Sequence, residues 1–239
     1  MVQKWRDLSF LHWPIPVEQL RPLVPSDLDL DLFEGTAYVG LVPFRMTGVR
    51  PIGLPAVPWL SSFLETNVRT YVHRRGREPG VWFFSLDAAN ALAVGIARAW
   101  FHLPYFYSKM TLREVGQSES STNEAAILYE GERRWPKPLP ATYSLQTIPL
   151  GNPQPAIPGT LEHFLVERYI LYTYSKRQLL RGYVNHTPYP VQSAHASHLS
   201  NTLLAATHLQ TPSTCLLAHF SRGVDVKVFN LQRVAAEEI

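Results

Sequence analysis

Glu65, Asn67 and Arg69 stand two residues apart. On a β-strand that spacing presents a carboxyl, an amide and a guanidinium on one face. Together they could hold a small acid and move a proton on it. Two placements are open. The polar face lines an interior, or it meets solvent and leaves Val68 and Thr70 as core. Val68 and Thr70 are a weak core pair, which favours the inward polar face. Arg98 is the only charge in the apolar run 90–101. A desolvated arginine there needs a counter-charge, from Asp87, Glu65 or an anionic ligand. Tyr105, Tyr107 and Lys109 alternate along the next segment. Facing inward, the lysine would lose its water and its pKa would fall, which is how an amine becomes a Schiff-base nucleophile at neutral pH. Facing outward, it is a surface lysine. His186 opens the run 186–192, where Pro188 and Pro190 hold a titratable ring between two strands.

Other signals point away from chemistry. His195 and His198 have a spacing that suits a metal on a helix. Their segment reads as a strand, which sends the two rings to opposite faces, so no metal site is expected. The glycine-rich nucleotide loops, the nucleophile-elbow pattern and the zinc-protease pattern do not occur. Cys215 is the one cysteine and sits in an apolar run, so it reads as a buried structural thiol rather than a nucleophile.

The elements that must position these groups are short. Twenty prolines cut the 239 residues into brief segments, as many strands and few long helices require. Strands are expected at 8–13, 28–33, 36–47, 65–73, 81–86, 105–114, 124–129, 142–147, 170–175, 178–186, 191–199, 215–221 and 224–229. The segments 28–33 and 36–47 form a hairpin about Glu34-Gly35, and 65–73 with 81–86 form a second about residues 76–80. Helices are expected at 16–23, 160–169 and 201–208, and at 90–101 with Asn90 as N-cap. The helix 90–101 is apolar nearly all round, so it should be largely buried. The proline-rich stretch 150–158 reads as an internal connector. Strands do not alternate regularly with helices, which argues against a doubly wound parallel sheet. The expected class is β-rich α+β: one domain over 1–239, an antiparallel barrel or cone with flanking helices.

Composition sets further bounds. Hydrophobic residues are 46% and charged residues 17%, enough apolar material for a sizeable core. The net charge is +3, but the arginines are scattered rather than striped, so nucleic acid is not an expected partner. No stretch approaches the ~18–20 apolar residues of a membrane span, and residues 1–7 carry no signal-peptide core. A cytoplasmic location is expected.

A family resemblance rests on residues 8–16, 39–46, 67–72, 80–88, 103–105, 167–169 and 223–226, in order, over about residues 5–233. With these the chain resembles the YqjF-like family of uncharacterised bacterial proteins, which is similar in fold to acetoacetate decarboxylase. The resemblance implies a cone-shaped antiparallel barrel around a mostly closed cavity. The decarboxylase forms a Schiff base on a lysine in an Arg-x-x-aromatic-Gly-Phe-Pro-Lys-Lys stretch. Here the similar stretch runs from Arg98 to Phe106, with Tyr105 and Phe106 where the lysines stand. Lys109 lies four residues on, ~13 Å along a strand, and cannot substitute. The resemblance also implies that Glu65 matches the decarboxylase's cavity glutamate, and that its arginine, near Trp13 or Pro14, is lost.

Two functions follow as expectations. In the first, an internal cavity binds or transforms a small organic acid without Schiff-base chemistry and without a cofactor. Glu65, Arg98 and Tyr105 would then be catalytic, and Asn67, Arg69, Tyr107, Lys109 and His186 would bind ligand. In the second, the protein is a non-catalytic binding or scaffold protein with a structural polar interior. A homo-oligomer is compatible with either.

Overall fold

The computed structural model describes residues 1–57, 59–117, 125–136, 140–210 and 217–234. Cys215 lies outside them. The chain begins with the strand β1 (Val2–Ile15). Pro16 then caps a short helix, α1 (Val17–Leu20), which tightens into a 3₁₀ turn over Arg21–Leu23. The segment read as a strand at 28–33 forms only β2 (Asp29–Leu30). The expected turn about Glu34-Gly35 forms, with Phe33 and Thr36 exchanging both backbone hydrogen bonds, but the hairpin extends no further. β2 pairs with β4 (Phe63–Arg74), while β3 (Ala37–Arg50) lies between β1 and β4. β4 and β5 (Arg77–Ala88) form the second hairpin as expected.

The helix α2 (Ala91–Trp100) follows, with the Asn90 side chain accepting from the Ala93 N–H. Here the expectation of a largely buried helix fails. Val94 alone is buried, and Leu92, Ile96 and Trp100 are 50%, 47% and 71% exposed. α2 lies with one side against β5 and β6 (Tyr105–Gln117), and its remaining apolar side chains stay on the surface.

Next come β7 (Ala125–Trp135) and β8 (Thr142–Gln154). β8 runs through much of the stretch read as a connector. Pro153 falls where the register against β11 shifts, and Gln154 still pairs with Val191. The helix α3 (Leu161–Val166) is capped by Thr160, whose hydroxyl accepts from the His163 N–H. Then come β9 (Ile170–Ser175), β10 (Gln178–Asn185) and β11 (Val191–Asn201), and a 3₁₀ turn at Ala205–Thr207. The last two expected strands are one strand, β12 (Leu217–Val228), followed by β13 (Gln232–Arg233). Gly223 lets β12 continue. It has φ +119, and a Cβ there would fall 1.9 Å from the Trp5 carbonyl oxygen of β1.

The strands join in one sheet with two closures. β4 pairs with β5, which closes nine strands (β1, β3–β8, β11, β12) into a larger barrel. β10 pairs with β12 and β9 with β5, which closes seven strands (β1, β3–β5, β9, β10, β12) into a smaller one. Pairing is antiparallel except where β5 meets β6 and β9. Five strands, β12, β1, β3, β4 and β5, therefore form a wall common to both barrels. On β1, Leu11 and Trp13 face the larger core, with Val39, Leu41, Val68, Tyr129 and Leu145. Leu8 and Phe10 face the smaller, with Val42, Phe44, Tyr71, Leu165 and Tyr189. Residues 65–72 of β4 are consequently buried without interruption, as strands covered on both faces are. Among the described residues no helix is long and apolar enough to cross a membrane.

Candidate functional site

Cross-strand register fixes which side chains look into the smaller barrel. Glu65 pairs with Phe44, Asn67 with Val42 and Arg69 with Gly40, and directly paired residues share a face. The inward reading of the polar face holds, its solvent placement fails, and the Val68–Thr70 face is buried as well. The polar face is interior, and so is its opposite, where Val68 is in the larger core and the Thr70 hydroxyl donates to the Tyr38 carbonyl.

Glu65 is 3% exposed. Tyr105, at the start of β6, pairs with Leu86 and reaches across β5 so that its hydroxyl donates to Glu65 Oε2 at 2.9 Å. Burial pushes the Glu65 carboxyl up to about 8; the Tyr105 hydroxyl opposes this and the Asp87 charge adds to it. At neutral pH the carboxyl therefore keeps its proton and can donate it. Burial, with the carboxyl beside it, holds the Tyr105 phenol well above its ordinary value.

Arg69 lies further along the same strand face. Its Nη2 donates to the Leu165 carbonyl at 3.1 Å, and its Nε has no partner. Leu165 is in the last turn of α3, where carbonyls are left without intrahelical donors. The guanidinium sits 5.8 Å from the Phe10 and Tyr71 ring centres. Among the described residues it makes no ion pair. Gly40 makes the room, since a Cβ there would stand 3.1 Å from the His12 ring and 3.5 Å from Arg69 Cγ. His12 lies 2.8 Å from the Tyr71 hydroxyl through Nε2, and Tyr71 donates to the Leu165 carbonyl at 2.6 Å. Burial, then the Arg69 charge, then His219 hold His12 well below the usual imidazole range, so its ring is neutral beside the cation.

His186 is buried at the same interior. Its ring stacks on Tyr169 at 4.7 Å and lies 4.7 Å from Tyr189. Nδ1 is 2.7 Å from the Thr187 carbonyl, and Nε2 has no partner. Burial lowers its pKa, as does Arg69, against the opposing Thr187 carbonyl and Glu167. Asn67 Oδ1 is likewise buried without a partner. Glu167 fixes the rim, accepting from the Tyr189 N–H at 2.8 Å and the Tyr169 hydroxyl at 2.6 Å.

The fold thus brings Glu65, Asn67, Arg69, Tyr105 and His186 to one interior and leaves three expected residues out. Tyr107 is half-buried and Lys109 is exposed. They share the parity of Tyr105, but Ser108, Met110 and Leu112 turn into the larger barrel, and cover on the opposite face declines from Tyr105 to the exposed Lys109. Arg98 is exposed, and its Nη1 donates to the Tyr105 carbonyl at 2.6 Å rather than to Asp87 or Glu65. Arg98→Met should therefore change stability by only about 0.5–1 kcal/mol, the worth of one hydrogen bond. Urea unfolding measures this, and a loss above about 3 kcal/mol would show a buried ion pair after all.

Asp87 is paired with Arg133 in the larger barrel. His12, Tyr71 and Arg133 went unnoticed in the sequence. A histidine inside the apolar run Leu8–Trp13 was the available signal for the first. Among the described residues no three His, Cys, Asp or Glu side chains gather as metal ligands.

Comparison with known proteins adds the family and the fold. The family model DUF2071, "Uncharacterized conserved protein", matches residues 2–225. The uncharacterized protein YqjF of Bacillus subtilis is 39% identical over 233 residues, 98% of this chain and 92% of its own. An acetoacetate decarboxylase-like enzyme from Sphingomonas wittichii superposes with TM-score 0.64 at 11% identity, over 98% of this chain and 92% of that one. Acetoacetate decarboxylase from Legionella pneumophila gives 0.63 at 14%, over 98% and 88%. The enduracididine biosynthesis enzyme MppR, complexed with the condensation product of pyruvate and imidazole 4-carboxaldehyde, gives 0.67 at 11%, over 97% and 88%. At these identities the likeness concerns the fold.

Proposed function

Because this chain belongs to the DUF2071 family of uncharacterised conserved proteins and folds like acetoacetate decarboxylase, we propose that it binds a small organic acid inside the smaller barrel and transforms it by general acid–base chemistry. The observation that carries this reading is Arg69. A guanidinium only 9% exposed, with no carboxylate beside it among the described residues, is costly to bury alone, and an anionic ligand would supply the missing charge. The unpartnered Asn67 Oδ1 and His186 Nε2 add an acceptor and a second polar contact. Glu65, protonated at neutral pH, is the proton donor of this reading, and the Tyr105 hydroxyl orients it. The separation of Glu65 from Arg69 along the strand, ~13 Å, suits an acid whose reacting atom is several bonds from its carboxylate. We place the protein in the cytoplasm, as one domain.

The second reading, a non-catalytic binding or scaffold protein, draws support from the rings of Phe10 and Tyr71 packed about Arg69. A thermal-shift screen of small carboxylic acids, followed by turnover assays on each hit, separates the two. An acid held at 100 times its dissociation constant adds about 2.7 kcal/mol. Hits on the parent that vanish in both Glu65→Gln and Arg69→Gln support the site. Hits that persist in both variants sink it, and binding without turnover selects the second reading.

Schiff-base chemistry is not part of the proposal. The four described lysines, Lys4, Lys109, Lys176 and Lys227, are all exposed, so none is the desolvated amine that such a step uses. Borohydride treatment with acetoacetate should leave the intact mass unchanged, and a stable adduct on Lys109 would refute this.

A further inference from the structure

A groove of about 630 Å³ opens at the mouth of the larger barrel, on the face of β5 and β6 opposite the Glu65–Tyr105 pair. Its volume is that of small-molecule sites. Trp82, Phe84 and Phe106 give it flat apolar walls, and none of its lining residues is acidic. Phe106 is backed by the Arg133 guanidinium, 3.9 Å from the ring centre. That cation is already neutralised by Asp87. The remaining guanidinium in the lining is Arg98, which uses Nη1 on the Tyr105 carbonyl and makes no ion pair among the described residues. Ser85 also lines the groove; it is 1% exposed and its Oγ has no hydrogen-bond partner, which a structural hydroxyl at that depth seldom lacks.

The rim is strained. His102 and His208 line the groove with φ of 52° and 65°, a left-handed conformation that non-glycine residues adopt at a cost and that gathers at ligand sites. The His102 turn is pinned, since Thr173 Oγ1 on β9 donates to its carbonyl at 2.8 Å.

We propose that this groove is a second binding site, separate from the smaller barrel, for an organic anion with a flat apolar body, of the aromatic carboxylate class. The aromatic walls take the body. Arg98 takes the carboxylate from the open side, and the Ser85 hydroxyl donates to the ligand from the floor.

Isothermal titration of the full chain with 2-naphthoate tests this, with neutral 2-naphthamide as the control ligand. Saturable one-to-one binding of 2-naphthoate is expected. It should weaken by about tenfold or more when the charge contact is removed, either in 2-naphthamide or in Arg98→Gln. Arg98 is exposed, so its variant should fold, and circular dichroism checks that it does. Glu65→Gln, which alters only the smaller barrel, should bind 2-naphthoate as the parent does. Three results each overturn the proposal: no saturable binding to the parent, equal affinity in Arg98→Gln, or loss of binding in Glu65→Gln with Arg98→Gln unaffected.

Discussion

Arg133→Met should destabilise the protein by about 3–5 kcal/mol, the cost of leaving one member of a buried ion pair alone. The Arg133 and Asp87 side chains are 2% and 1% exposed, and the contact is two-pronged: Nε to Oδ1 at 2.7 Å and Nη2 to Oδ2 at 2.6 Å. Ser108 Oγ adds a third donor to Asp87 Oδ1 at 2.6 Å. Asp87 stands on β5, Ser108 on β6 and Arg133 on β7, so one carboxylate ties three strands of the larger barrel together. The methionine keeps most of the length and all of the apolar stem, which isolates the charge. The double variant Asp87→Leu/Arg133→Met should be closer to the parent than Arg133→Met alone, because an apolar pair leaves no stranded charge. Urea unfolding of the three proteins decides it. A parent-like midpoint for Arg133→Met would mean that the pair is not buried in solution.

Glu65→Gln should change how stability depends on pH more than it changes the fold. The Glu65 carboxyl ionises near 4.5 in the unfolded chain and near 8 in its buried place. Folding thus retains a proton. The contribution is complete below about pH 4.5, declines as pH rises, and is lost above about pH 8. Each pH unit in that window is worth about 1.4 kcal/mol, so the whole contribution is about 4–5 kcal/mol. Glutamine is isosteric and does not titrate, and its amide can still accept from the Tyr105 hydroxyl. The parent-minus-variant difference in unfolding free energy should therefore fall steadily from pH 5 to pH 8 and level off above it. A difference that stays flat over this range would show an ionised Glu65 with a counter-charge, and the proton-donor role would go with it.

The candidate site was half legible in the sequence, and the halves divide by range. The two-residue spacing of Glu65, Asn67 and Arg69 is local, and a strand turns it directly into a shared face. The family pattern placed Tyr105 at a lysine position and Glu65 at a cavity glutamate, and only the fold brings the two into hydrogen-bond contact. Arg98 was misplaced because an apolar helix was equated with a buried one. Its apolar side chains are instead left on the surface, beside the exposed Trp59, whose carbonyl accepts from Asn90 Nδ2. Lys109 was misplaced because parity places side chains on a face but does not cover that face along its whole length. Tyr105 is under cover and Lys109, four residues on, is not.

By itself the sequence determined that strands dominate, roughly where most of them lie, that Asn90 caps a helix, and that no lysine pair follows Pro104. These are matters of period, turn chemistry and residue identity, all read within a few positions. Only the tertiary structure decided that the strands close twice, and that five of them form a wall with a core on each side. Closure depends on pairings such as β10 with β12 and β9 with β5, which join distant segments and are set by loop-closure entropy and packing rather than by period. That double burial is why both faces of β4 are interior, why a glutamate there holds its proton, and why Asp87 is matched by an arginine 46 residues away. Alternation along a strand says which residues share a side, and only the rest of the chain says what lies there.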